Sequence, residues 1–74
     1  MIIDYGNKER YEVLLIDDGT LDTVISINDK EFRFSSEYAE IYRDKEGYMT
    51  EKGLQELAEE TIYLESFLKK IGTF

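Results

Sequence analysis

The feature that most constrains this chain is a single change of hydrophobic period at Ser35-Ser36. Before it, apolar residues alternate with polar ones. After Thr50 they return every three or four residues. Alternation puts neighbouring side chains on opposite faces of a strand, whereas the longer spacing lines one side of a helix. One such switch predicts strands first and helices second, the α+β class.

Three strands are expected. Arg10 to Ile16 carries Tyr11, Val13 and Leu15 on one face and Glu12 and Leu14 on the other. Asp17-Asp18-Gly19-Thr20 then breaks the pattern, and Asp-Gly is a strong hairpin signal because Gly tolerates positive φ. Leu21 to Ile27 sets Leu21, Thr23, Ile25 and Ile27 against Asp22, Val24 and Ser26. Asn28-Asp29 makes a second tight turn, and Lys30 to Phe34 follows with Phe32 and Phe34 inward. The outer face, with Glu12, Asp22, Glu31 and Arg33, should be solvated. Met1 to Tyr5, turned back at Gly6-Asn7, is a candidate fourth strand outside this core reading.

Two helices should follow. Ser35-Ser36 supplies a hydroxyl for an orphan backbone N–H, and Tyr38, Ile41 and Tyr42 form one apolar edge of a short helix, Ser36 to Arg43. Asp44-Lys45-Glu46-Gly47 ends it. Thr50 caps a longer helix, Glu51 to Lys70, with Glu51 in the first turn, Lys69-Lys70 in the last, and Gly72 placed to stop it. Leu54, Leu57, Thr61, Leu64, Leu68 and Ile71 form the stripe that should lie on the sheet. The expected architecture is a three-stranded antiparallel β-meander followed by two helices, βββαα, with the helices packed on one sheet face. Residues 1–74 form a single small acidic domain.

Composition excludes most chemistry. With no Cys and no His, thiolate zinc sites, cysteine nucleophiles and the usual neutral-pH acid/base are absent. Asp17, Asp18 and Asp22 resemble a calcium loop only superficially, since the order of ligands, central Gly and closing Glu is missing. Turn formation accounts for them better. Glu56, Glu59 and Glu60 lie near one another on the long helix, but on its polar side, where nothing desolvates a carboxyl for catalysis. Ser35 and Ser36 have no base beside them. The expectation is a protein that is not an enzyme and uses neither metal nor cofactor.

Charge points to the kind of partner. Seventeen acidic residues against nine basic ones give a net charge of -8, the wrong sign for direct nucleic-acid binding. A solubilising surface is the plain reading of such acidity. A sharper one is mimicry of a nucleic-acid backbone: carboxylates at i and i+4 stand about 6 Å apart, similar to successive phosphates. Glu56, Glu59 and Glu60 form that row opposite the Leu stripe, with Lys52 near them, Tyr63 beside them as an aromatic anchor and Asp17, Asp18 and Asp22 as a second acidic patch.

The expected function is a non-catalytic acidic binding protein that occupies a basic, nucleic-acid-binding surface of a larger protein partner. Small size, acidity and absence of Cys and His are the general character of phage-borne inhibitors of host nucleases, such as anti-CRISPR or anti-restriction proteins. That likeness is one of composition and carries no motif. The alternative is a small interaction or assembly module, antitoxin-like or a phage accessory protein, that forms a homodimer or other contacts through exposed aromatics such as Tyr48 and Tyr63. The N-terminus has no basic leader, and the longest apolar run, Val13-Leu14-Leu15-Ile16, is far too short for a membrane helix. A cytoplasmic protein without membrane contact is therefore expected.

Overall fold

The computed structural model describes residues 1–18 and 22–70, and the side chains of these apart from residues 18 and 67–70. Four strands form one antiparallel sheet in the order β1-β2-β3-β4: β1 Ile2–Asp4, β2 Arg10–Asp18, β3 Asp22–Ile27 and β4 Lys30–Ser35. Two helices follow, α1 Ser36–Ala39 and α2 Glu51–Lys70, with a 3₁₀ turn, Glu40–Tyr42, directly after α1. The fold is α+β as expected, but the three-strand count is corrected to four.

The extra strand is β1. It is only three residues long and buries one side chain, Ile3, so its alternation is too brief to stand out in the sequence. Backbone bonding holds it: Val13 N–H donates to the Met1 carbonyl at 2.8 Å, and the Met1 ammonium donates to the Val13 carbonyl at 2.7 Å. The reversal before β2 places Gly6, Asn7 and Lys8 at φ 78°, 52° and 67°. Asp4 Oδ1 accepts from Gly6 N–H at 2.8 Å and fixes the start of that turn.

Between β2 and β3 the register runs Val13↔Ile27, Leu14↔Ser26 and Leu15↔Ile25. It then slips by one residue to Asp17↔Val24 and Asp18↔Thr23. This bulge moves Asp17 onto the face of Val24. The expected Asp-Gly turn, at Gly19, Thr20 and Leu21, lies outside the described residues. Between β3 and β4, Asn28 and Asp29 adopt φ 49° and 69°, the type I′ geometry suited to a two-residue hairpin. Asn28 also extends the neighbouring ladder, its Oδ1 accepting from Glu12 N–H at 2.9 Å.

One sheet face carries the core. Ile3, Val13, Ile25 and Ile27 pack with Leu57 and Ala58 of α2, flanked by Tyr11, Phe32, Phe34, Tyr42, Leu54 and Ile62. The opposite face shows Glu12, Leu14, Glu31 and Arg33 to solvent. Val24 and Ser26 share that face yet are buried, because β3 is central and the side chains of β2 and β4 shield both flanks.

Ser35 is the N-cap of α1: its Oγ accepts from Tyr38 N–H at 3.1 Å. The expected single helix to Arg43 tightens after Ala39 into the 3₁₀ turn, and Arg43 leaves in extended conformation, φ -94°. The Arg43 guanidinium donates to Thr23 Oγ1 at 2.8 Å and to the Gly47 carbonyl at 3.1 Å, tying the following loop to the central strand.

The long helix begins where the sequence placed it. Thr50 Oγ1 accepts from Gly53 N–H at 3.1 Å. Its sheet-facing line differs from the Leu stripe: Gly53, Leu57, Ala58 and Thr61 are buried, with Leu54, Ile62 and Glu65 half-buried. Leu64 is 45% exposed, which corrects its place in the stripe. Lys30 Nζ bonds Glu65 Oε1 at 2.6 Å, so this part of α2 meets the sheet through Glu65, and Leu64, though on the side of Leu57, is left exposed. The Leu68 side chain, Ile71 and the stop at Gly72 lie outside the description.

Candidate functional site

The outer face of α2 is set by what its inner face buries. Gly53 is the tightest point. A Cβ there would stand 1.9 Å from the Tyr42 carbonyl oxygen and 3.0 Å from its carbon, so only glycine lets the 3₁₀ turn sit this close. One turn on, Leu57 and Ala58 are fully buried. Thr61 is buried too, and its Oγ1 donates to the Leu57 carbonyl at 2.8 Å, which satisfies the hydroxyl within the helix. With that side fixed, Lys52, Gln55, Glu56, Glu60 and Tyr63 are left exposed.

The three glutamates lie on the helix surface but lean to different flanks. Glu59 is half-buried and reaches the residue after β1: Tyr5 Oη donates to Glu59 Oε2 at 3.4 Å. Burial, and then the Glu59 carboxylate, raise the Tyr5 phenol above its ordinary value. Glu56 and Glu60 lie on the flank nearer the 3₁₀ turn, close enough for their charge to act on Tyr42. That phenol is also raised, first by burial, then by the Tyr38 hydroxyl, then by Glu60 and Glu56. The acidic band thus spans the width of α2 between Tyr5 and Tyr42. Among the described residues the ion pairs are Lys30–Glu65 and Arg33–Asp22, and neither involves the band. Glu56 and Glu60, one helical turn apart, repel each other, and although Lys52 lies one turn before Glu56, it forms no ion pair with either among the described residues.

Tyr63 is 65% exposed beside this band, and Tyr48 is 66% exposed in the loop before α2. Tyr38 and Tyr42 continue an aromatic row from β4, with Phe34 stacked on Tyr38 at 5.5 Å and Tyr38 to Tyr42 at 6.2 Å. The side chain of Phe67, and Phe74, lie outside the described residues.

The aspartates do not join the helix group. Asp17 and Asp22 share the open face of the sheet with Val24, the side opposite α2. Asp22 Oδ2 is bonded by Arg33 Nη1 at 3.1 Å, so part of its charge is already neutralised. Asp18 pairs with Thr23 along the ladder. The two acidic patches therefore address different directions. No cluster of three or more metal-binding side chains occurs among the described residues. A groove of about 240 Å³ lies between Tyr11, Ile27, Phe32 and Ile62, rimmed by the Lys30–Glu65 pair, and contains none of the site residues named from sequence. Among the described residues, no helix is long and apolar enough to cross a membrane.

The sequence signal missed the flank contacts. Tyr5 and Glu59 are 54 positions apart, and no local pattern joins them. Gly53 was missed as well, although a glycine inside a helix, costing about 1 kcal/mol there unless something needs it, is the signal that marks it. Compared with known proteins, the chain matches no family model, no curated protein and no solved structure.

Proposed function

We propose that this is a non-catalytic binding protein whose acidic α2 face occupies a basic, nucleic-acid-binding surface of a larger partner. The observation that supports it is the exposed Glu56–Glu60 pair, without a cation partner among the described residues, on a helix whose rotation is locked by Gly53, Leu57, Ala58 and Thr61. Like charges held on a rigid surface are neutralised when they enter a cationic groove, and their field speeds the encounter. Glu59 adds a third carboxylate and Tyr63 an aromatic anchor at the same face. Asp17 and Asp22, on the opposite sheet face, belong to a separate contact at most, with Asp18 next to Asp17 along the ladder. The most specific form of this reading is an inhibitor of a nucleic-acid-processing complex in the cytoplasm, of the anti-CRISPR or anti-restriction type, encoded by a phage.

The test is affinity purification from the native cell with the wild-type chain and with Glu56→Lys/Glu59→Lys/Glu60→Lys, followed by calorimetry on the partner recovered. The variant changes net charge from -8 to about -2. Affinity of the wild type should fall steeply with salt, and the variant should bind at least about a hundredfold more weakly. Full binding by the variant overturns the proposal.

A second reading, an assembly module working through aromatics, is favoured by the exposure of Tyr48 and Tyr63. Binding that is indifferent to salt but lost in Tyr63→Ala would select it.

A further inference from the structure

The outer edge of β4 has the register of a self-complementary pairing strand. The hairpin turn Asn28-Asp29 makes Ile27↔Lys30 a hydrogen-bonded pair, and such pairs recur at every second position. The N–H and C=O groups of Lys30, Phe32 and Phe34 therefore point to β3. Those of Glu31 and Arg33 point away, and among the described residues no strand pairs with them. The opposite edge is blunted by the shortness of β1, but β4 is six residues long.

We propose that two copies of this chain dimerise edge to edge through β4, antiparallel about a two-fold axis at Phe32. In this register the outward groups of Glu31 meet those of Arg33 in the second copy, and the reverse, giving four backbone hydrogen bonds. Directly opposed residues in an antiparallel pair share a face. Glu31 is thus set against Arg33 of the second copy twice over on the open face, and Phe32 meets Phe32 on the core face. Both Glu31 and Arg33 are exposed, and Phe32 and Phe34 are half-buried. Arg33 already holds Asp22 through one nitrogen, and its guanidinium keeps further donors for a second carboxylate. Charge complementarity selects a second copy as the occupant. In a chain of net charge -8, β4 carries two cations, Lys30 and Arg33, against one anion, Glu31. The order Glu31-Phe32-Arg33 is complementary to itself when reversed. A two-fold contact of this kind closes on itself as one eight-stranded sheet and leaves no further β4 edge. The outer face of α2 takes no part, so this pairing is independent of the function proposed above.

Sedimentation equilibrium of the full chain, from micromolar to roughly millimolar concentration, tests it. A monomer–dimer equilibrium is expected, with amide exchange at Glu31 and Arg33 slowing as concentration rises. Glu31→Arg and Arg33→Glu each turn two attractive pairs repulsive and should weaken dimerisation about tenfold or more. The double exchange Glu31→Arg/Arg33→Glu restores opposite charges and should recover it. Circular dichroism confirms folding, and Glu31→Arg leaves the Arg33–Asp22 pair in place. A monomer at every concentration, a dimer indifferent to the single reversals, or a folded double variant that stays monomeric overturns the proposal.

Discussion

Replacing Gly53 with alanine sets two effects of opposite sign against each other. In an unobstructed helix interior the change stabilises by about 1 kcal/mol, because alanine loses less backbone entropy. Here the new methyl would meet the Tyr42 carbonyl at 1.9 Å, and the obstacle is backbone rather than the yielding end of a side chain. Ordinary contact begins near 3.4 Å, so the 3₁₀ turn and α2 must separate by more than an ångström. That separation loosens Tyr42, Leu54 and Met49, all packed against the core. Overpacking of this kind costs about 1–3 kcal/mol, and a backbone obstacle belongs at the upper end. Net destabilisation of about 1–2 kcal/mol is expected, a large share of the roughly 4–11 kcal/mol available to a domain of this length. Urea titration of Gly53→Ala beside Lys52→Ala, an exposed control expected within about 0.5 kcal/mol, reads the difference. A stabilised Gly53→Ala would refute the close approach of the 3₁₀ turn and, with it, the orientation assigned to the outer face of α2.

Leu57→Ala and Ile25→Ala, both fully buried, should each cost about 2–5 kcal/mol in the same assay, enough to unfold a marginal variant. Glu56→Gln/Glu60→Gln should raise stability by about 0.2–0.5 kcal/mol, since an i, i+4 like-charge pair is relieved; a loss would mean these carboxylates are paired in solution. Tyr5 and Tyr42 are raised above 10.0, so the fold is favoured while both phenols stay protonated. Their contribution is complete below about pH 10 and is lost as pH rises through the raised values. Tyr5→Phe and Tyr42→Phe should each shrink that alkaline loss in thermal melts between about pH 9 and 11, and an unchanged pH profile would contradict the assigned surroundings.

Local patterns were enough for most of the fold and for little of the site. Lys30 to Phe34 alternates cleanly and is a strand with Phe32 and Phe34 inward, and Leu21 to Ile27 is a strand over its described part, Asp22–Ile27, with Thr23, Ile25 and Ile27 on the core side. Thr50 and Ser35 serve as caps because capping is a contact within three residues of chain. Ile2–Asp4 was only a candidate, since three residues cannot display a period and its stability comes from pairing with β2. Leu64 misled for a related reason: a wheel shows which side of a helix is apolar but not which of its turns is covered. The acidic character of α2 was plain from composition. The division of Glu59 toward Tyr5 from Glu56 and Glu60 toward Tyr42 was not, because it depends on where β1 and the 3₁₀ turn lie around the helix. Separation of Asp17 and Asp22 from that face likewise follows from the bulge after Leu15 and the strand pairing, neither of which leaves a local signature.

The central claim is that the acidic α2 face takes the place of a nucleic acid on a basic surface. Its most direct test is competition on the partner recovered from the native cell, loaded with a labelled nucleic acid of the kind that partner binds. Wild-type protein should displace the label in proportion to its own occupancy, and Glu56→Lys/Glu59→Lys/Glu60→Lys should displace none at the same concentration. Binding of protein and nucleic acid together, with the label undisturbed, would contradict the account.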